Sequence, residues 1–307
     1  MEYLKKLYQP QEGQSYEQFK QGTVENIHNL FDIYSKSDVM TLQNFLENTD
    51  HGLEHEYNVY QKAIEIIDRY EQKTGKKIRK HMIYPMVIVH DAIRSLQYDP
   101  MDKQKARKEK RNDRNHEKYG AFLFEKMIQS GNQRDVFINL SEQEQAEIKE
   151  YLINHDYFSE QLNGGRFHEP TSIEGQIVRL ADRISVPLKD EIQRYWDTGK
   201  RLNTPFFNQS MPLSERENFS FDKMGLYFKN GWVDEVLFFT ALLMITEKDF
   251  SDPVLGEIYK KWAVDKDNAI DFILDIGKQE GATPEQMEDL KVLLSHLGEK
   301  FGFHVKG

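Results

Sequence analysis

The chain of 307 residues contains no cysteine, which excludes disulfides, thiolate zinc sites and cysteine nucleophiles together. That absence fits a reducing compartment. A long apolar run is missing as well: the longest, Val236 to Ile245, is too short to cross a bilayer and reads as a buried helix. The start, Met1 to Lys6, leads into polar residues without the apolar core of a secretory signal. A soluble, cytoplasmic protein with no membrane partner is expected. Basic charge is in deficit, the net charge being -10, and broad nucleic-acid or anionic-membrane binding requires a basic surface. No alternating apolar pattern is long enough to insist on a sheet, and no internal repeat, low-complexity tract or long linker occurs.

Helix signals fill the space these absences leave. Val59, Ala63, Ile66 and Ile67 recur at helical spacing within residues 55–74, and Gly75 is placed to cap the C-terminus. A second helix is expected from about Ile78 to Ile93, and a third from about His116 to Ile128, closed by Gly131. Ser141 followed by Glu144 is a capping-box pattern for a helix reaching His155. Thr171 with Glu174 predicts another, running through about Trp196. Asp252 with Pro253, and Thr283 with Pro284 and Gln286, give an N-cap followed by proline at the first helical position. The Asn-, Pro- and Ser-rich segment Leu202 to Asn218 marks a boundary between two helical regions. The fold class is all-α.

The dipeptide His90-Asp91 ends the apolar run Met86 to Val89. An imidazole beside a carboxylate is costly to bury there without compensation, and a divalent transition metal would compensate it. Other candidate ligands sit on helices or at their ends. His55 opens the first core helix, His116 opens the third, and His155 closes the next. Asp182 interrupts the amphipathic stripe of Ile177, Leu180, Ala181 and Ile184, so it is expected to face inward, where a carboxylate requires a cation or a hydrogen-bond network. Antiparallel helices can bring such positions to one end of a bundle, where metal sites are built from facing side chains.

This ordered set resembles the HD-domain metal-dependent phosphohydrolases. That family has a His near a helix start, a His-Asp pair about one helix later, and a distant Asp often preceded by Ala. The corresponding residues are His55, His90-Asp91, and Asp182 after Ala181. Members that bind two metals add two histidines between the pair and the last Asp, where His116 and His155 stand. The resemblance covers roughly residues 45 to 198. His155-Asp156 stands where two-metal members often carry adjacent histidines, and Asn163 to Arg166 only loosely echoes the glycine-rich signature of the cyclic-di-GMP phosphodiesterase branch. Ser172 to Asp182 looks somewhat like the matching helix of the deoxynucleoside triphosphate hydrolases.

The resemblance implies an HD-type helical domain over residues 1–200, with an N-terminal extension, and a C-terminal helical extension over 201–307 that could cover the site, form a homodimer or regulate. It implies one or two ions of Mn, Fe, Co, Ni or Zn, held by His55, His90, Asp91, His116, His155 and Asp182. Asp91 would also bridge two ions. The implied reaction is hydrolysis of a phosphomonoester or phosphodiester, with a small phosphorylated substrate, a nucleotide being expected. Arg94, three residues after Asp91, matches a position where the family often has a basic residue and could clamp a phosphate oxygen bidentately. Glu54 is a weaker candidate to orient water or a ligand imidazole, with a solvated first-turn acid as the bland reading. His51 is the alternative to His55. Two other readings stay open: a non-catalytic HD module that binds a nucleotide or partner, and a di-iron oxygenase on the same scaffold.

Two further stretches have bland readings. Lys103 to Arg114 carries seven basic residues against Glu109 and Asp113; it could attract a polyanion, but a solvated face is the favoured reading. The aromatics Phe206, Phe207, Phe219, Phe221, Tyr227 and Phe228 could stack on a base, but core packing is favoured.

Overall fold

The computed structural model describes residues 12–23, 52–91, 116–130, 140–155, 169–220, 223–262 and 266–305. No strand occurs among them, and the all-α expectation holds. The contacts divide the chain into two compact units, with the described residues of the first ending at Ser185 and those of the second beginning at Val186.

In the first unit, α1 spans Leu53–Thr74, ending at Gly75 with φ 69°, the left-handed conformation that glycine adopts without steric cost. A 3₁₀ turn, Lys80–Met82, leads into α2, Ile83–His90. Every residue of α2 is buried, as its near-uniform apolarity requires of a helix that other helices surround. The continuous helix expected from about Ile78 is therefore a 3₁₀ turn followed by α2, and residues 92 and 93 lie outside those described. Helix α3 is His116–Ser130 and α4 is Glu142–Asn154. The capping box at Ser141 and Glu144 is present as expected.

Helix α5, Ile173–Ile184, differs from expectation at both ends. Its N-cap is Ser172, whose hydroxyl accepts from Gly175 N, while Thr171 donates its hydroxyl to Glu150. It stops at Ser185 because Pro187, which cannot donate a helical hydrogen bond, starts the next helix, α6, Leu188–Leu202. The single helix expected to reach Trp196 is thus two helices.

Within this unit α1 packs chiefly on α5, while α2 touches α1, α3, α4 and α5. Val59, Ala63, Ile66 and Ile67 of α1 are all buried, as the spacing predicts. A Cβ on Gly120 of α3 would meet the carbonyl oxygens of Val89 and His90 at 3.4 and 3.8 Å, so the glycine lets α3 close on the end of α2. Arg79 fastens the loop before α2 by donating to Glu174 of α5 and Glu147 of α4. A helical segment over residues 16–23 adds Phe19, whose ring meets Tyr57 and Tyr84 edge-on at 5.4 and 5.9 Å.

The second unit holds α6, α7 (Leu213–Glu217), α8 (Met224–Asn230), α9 (Glu235–Leu243), α10 (Pro253–Trp262), α11 (Lys266–Gln279) and α12 (Pro284–Phe301). Helix α6, which the sequence reading assigns to the first domain, contacts α9 and α11. The Asp252 side chain caps α10 and Thr283 caps α12, as expected. The aromatic stretch packs internally: Phe206 lies against Phe239, Phe219 stacks on Tyr227, and Phe228 meets Phe238.

Candidate metal centre

Three helices of the first unit deliver the candidate ligands. His55 lies in the first turn of α1, His90 and Asp91 at the end of α2, and Asp182 near the end of α5. His155, the C-cap of α4, joins them. Four of the five are buried, and the Asp182 side chain is 23% exposed.

Their donor atoms converge. Nε2 of His55 lies 3.2 Å from Oδ1 of Asp182 and 3.9 Å from Oδ2 of Asp91. Nε2 of His90 stands 3.8 Å from each of those oxygens, beyond hydrogen-bond range. One donor atom from each of His55, His90 and Asp91 falls within 4.8 Å of the others. Ions bound at about 2.1 Å hold their ligands roughly 3.0 to 3.4 Å apart, so these separations are those of a slightly open coordination shell.

The imidazoles are oriented for such a role. Nδ1 of His90 donates to the Val87 carbonyl at 2.6 Å, and Nδ1 of His155 donates to the Leu152 carbonyl at 2.8 Å. Each ring is thereby held with Nε2 directed at the carboxylates, the arrangement by which metal-ligating histidines are fixed. The donor set is nitrogen and oxygen, which suits a divalent transition ion. The residues present therefore fit a divalent metal.

The electrostatics point the same way. Burial pushes the His90 imidazole down, but Glu56 and Asp91 outweigh it and hold its pKa well above the ordinary value. Burial raises Asp182, yet His55 and His90 outweigh it and hold the carboxyl well below its usual range. Several carboxylates gathered in a buried site favour any cation that enters it.

Glu56, which sequence reasoning passes over, is fully buried with Oε2 3.4 Å from Nδ1 of His90. Burial raises its pKa despite the opposing pull of His90. The available signal was its place on the first turn of α1, one residue beyond His55, in a helix whose other buried residues are aliphatic or aromatic. Glu54, the residue singled out instead, is exposed. Arg94 and His51 lie outside the described residues. His116 opens α3, and its side chain also lies outside them; one turn later Gly120 rests against the carbonyl of His90.

No helix among the described residues is long and apolar enough to cross a membrane. A comparison with curated proteins and one with solved structures gave no match. The family model described as HD domain matches residues 52–186, a span that contains every one of the converging ligands. The match supports the resemblance that the sequence bears to the HD-domain metal-dependent phosphohydrolases.

Proposed function

We propose that this protein is a metal-dependent phosphohydrolase acting on a phosphomonoester or phosphodiester, with a nucleotide as the substrate class. One observation carries the reading: His55, His90, Asp91 and Asp182, from three helices, aim their donor atoms at one point with separations of 3.2 to 3.9 Å. These four residues would hold the first ion. Asp91 would bridge two ions, a role supported by its Oδ1 lying 3.7 Å from Nε2 of His155 while Oδ2 faces His55 and His90. His155 and Asp91, joined by His116, would hold a second ion.

A divalent ion bound there would acidify a coordinated water towards neutrality and supply the hydroxide nucleophile for attack on phosphorus. The chain's own residues set the geometry. The Val87 and Leu152 carbonyls fix the two imidazoles, and the apolar residues of α2 keep solvent from the buried side of the site. Arg94 is assigned the phosphate clamp, since a guanidinium matches two phosphoryl oxygens at once.

The test is turnover of a nucleotide and phosphoester panel by metal-free protein reloaded with Mn, Fe, Co, Ni or Zn. Release of phosphate or nucleotide product that depends on the added ion, and that disappears in Asp91→Ala together with bound metal, is the expected result. An Asp91→Ala protein with unchanged metal content by elemental analysis would overturn the assignment.

A further inference from the structure

Tyr151 lies on α4 one helical turn before His155, and its side chain is completely buried. Its ring is 5.7 Å from that of His155, which is 5.3 Å from His90, itself 5.7 Å from His55. The four rings form a continuous row along the site. Among the described residues the Tyr151 hydroxyl has no hydrogen-bond partner. A buried hydroxyl without one is destabilising, so its retention in the core points to a partner that arrives with a ligand.

Its surroundings identify the kind of partner. His90, Asp182, Asp91 and Glu56 all lie within electrostatic range of the phenol. A phenol is protonated at neutral pH, so the hydroxyl is available there as a donor. The backbone cannot swing it away: a Cβ on Gly175 of α5 would lie 3.3 Å from the Tyr151 Cβ, which shows how closely α5 is docked there.

We infer that the Tyr151 hydroxyl donates a hydrogen bond to a phosphoryl oxygen of the substrate as it sits against the His55, His90, Asp91, Asp182 and His155 cluster. The inference rests on the phosphohydrolase reading and adds a neutral donor to a cluster of imidazoles and carboxylates. Such a donor positions an anionic oxygen without competing for the ion.

The experiment compares wild type and Tyr151→Phe, each loaded with Mn²⁺, by elemental analysis and by calorimetric titration with inorganic phosphate. Phenylalanine keeps the ring, so metal content should be equal and the metal-free variant should melt no lower than wild type. Phosphate affinity should fall about tenfold or more, the ordinary worth of a hydrogen bond to a charged group. Equal phosphate affinity in the two proteins, within about twofold, overturns the inference and leaves the hydrolase reading standing. A wild-type protein that takes up no metal, or that binds no phosphate when loaded, overturns both. A variant that loses its cooperative thermal transition assigns the hydroxyl a structural role and overturns the inference as well.

Discussion

Nε2 of His155 lies 3.7 Å from Oδ1 of Asp91, the oxygen opposite the one that faces His55 and His90. A carboxylate that divides its two oxygens between separate imidazole groups is suited to bridging. Wild-type protein is therefore expected to take up two ions per chain, and His155→Ala one. Elemental analysis after gel filtration reads this directly, and equal stoichiometry in the two proteins would remove His155 from the ligand set.

Glu56 supports His90 from behind. Its Oε2 is 3.4 Å from Nδ1, and a carboxylate there raises the basicity of the ligating nitrogen. Glu56→Gln should lower metal affinity about 10- to 100-fold, the usual cost of losing an outer partner of a ligating histidine. Competition with a chromogenic chelator measures it; an unchanged dissociation constant would make Glu56 a packing residue only.

Metal binding must displace the proton that Glu56 and Asp91 help to hold on His90. A folded-state pKa raised above 6.5 gives the metal-free protein stability that is full below pH 6.5 and is lost as pH rises through the raised value. The ion needs the neutral ring, so its advantage runs the other way. The gap in melting temperature between Mn²⁺-loaded and EDTA-treated protein should widen from pH 6 to pH 9. A gap that narrows over this range contradicts the ligand role of His90.

Glu144 titrates on the opposite side of neutrality. The Ser141 backbone N–H, the imidazole of His81 and the Ser141 hydroxyl depress its pKa from 4.5 to about 2. Its contribution is present above pH 4.5 and disappears as pH falls through about 2. Glu144→Gln, which preserves the capping geometry, should melt below wild type near neutrality and converge with it in acid. Parallel curves across that range would show that the charge contributes nothing.

Arg216 and Asp234 form a buried ion pair in the second unit, where Asp234 also accepts from Asn208 N and Leu237 N. Arg216→Ala strands the carboxylate in the core. A loss of about 3 to 5 kcal/mol in urea unfolding is expected, the cost of breaking a buried pair from one side. A loss below about 1 kcal/mol would mean that the backbone donors alone satisfy Asp234.

Much of the fold is written in local chemistry. Gly75, the Ser141–Glu144 box, Asp252 and Thr283 cap the helices they were expected to cap, because a cap is a contact between residues at most a few positions apart. Expectation and structure part where local signals compete. Thr171 and Ser172 both qualify as N-caps, and Glu150, distant in sequence, engages the former. The apolar stripe continues past Ile184, but Pro187 interrupts the backbone ladder and divides the expected helix in two.

The site shows the same division. Its N and O donor set, and the order His55, His90-Asp91, Asp182, follow from residue type and helical placement along the chain. Tertiary structure alone brings Glu56 against Nδ1 of His90, sets Tyr151 in the row of rings and turns opposite oxygens of Asp91 toward different imidazoles. Glu56 and His90 are 34 positions apart and Asp91 and His155 are 64 apart, on helices whose relative rotation is decided by how α1, α2, α4 and α5 pack. Sequence determined that a cation site was wanted at the end of α2; the packing of the helices decided which side chains complete it.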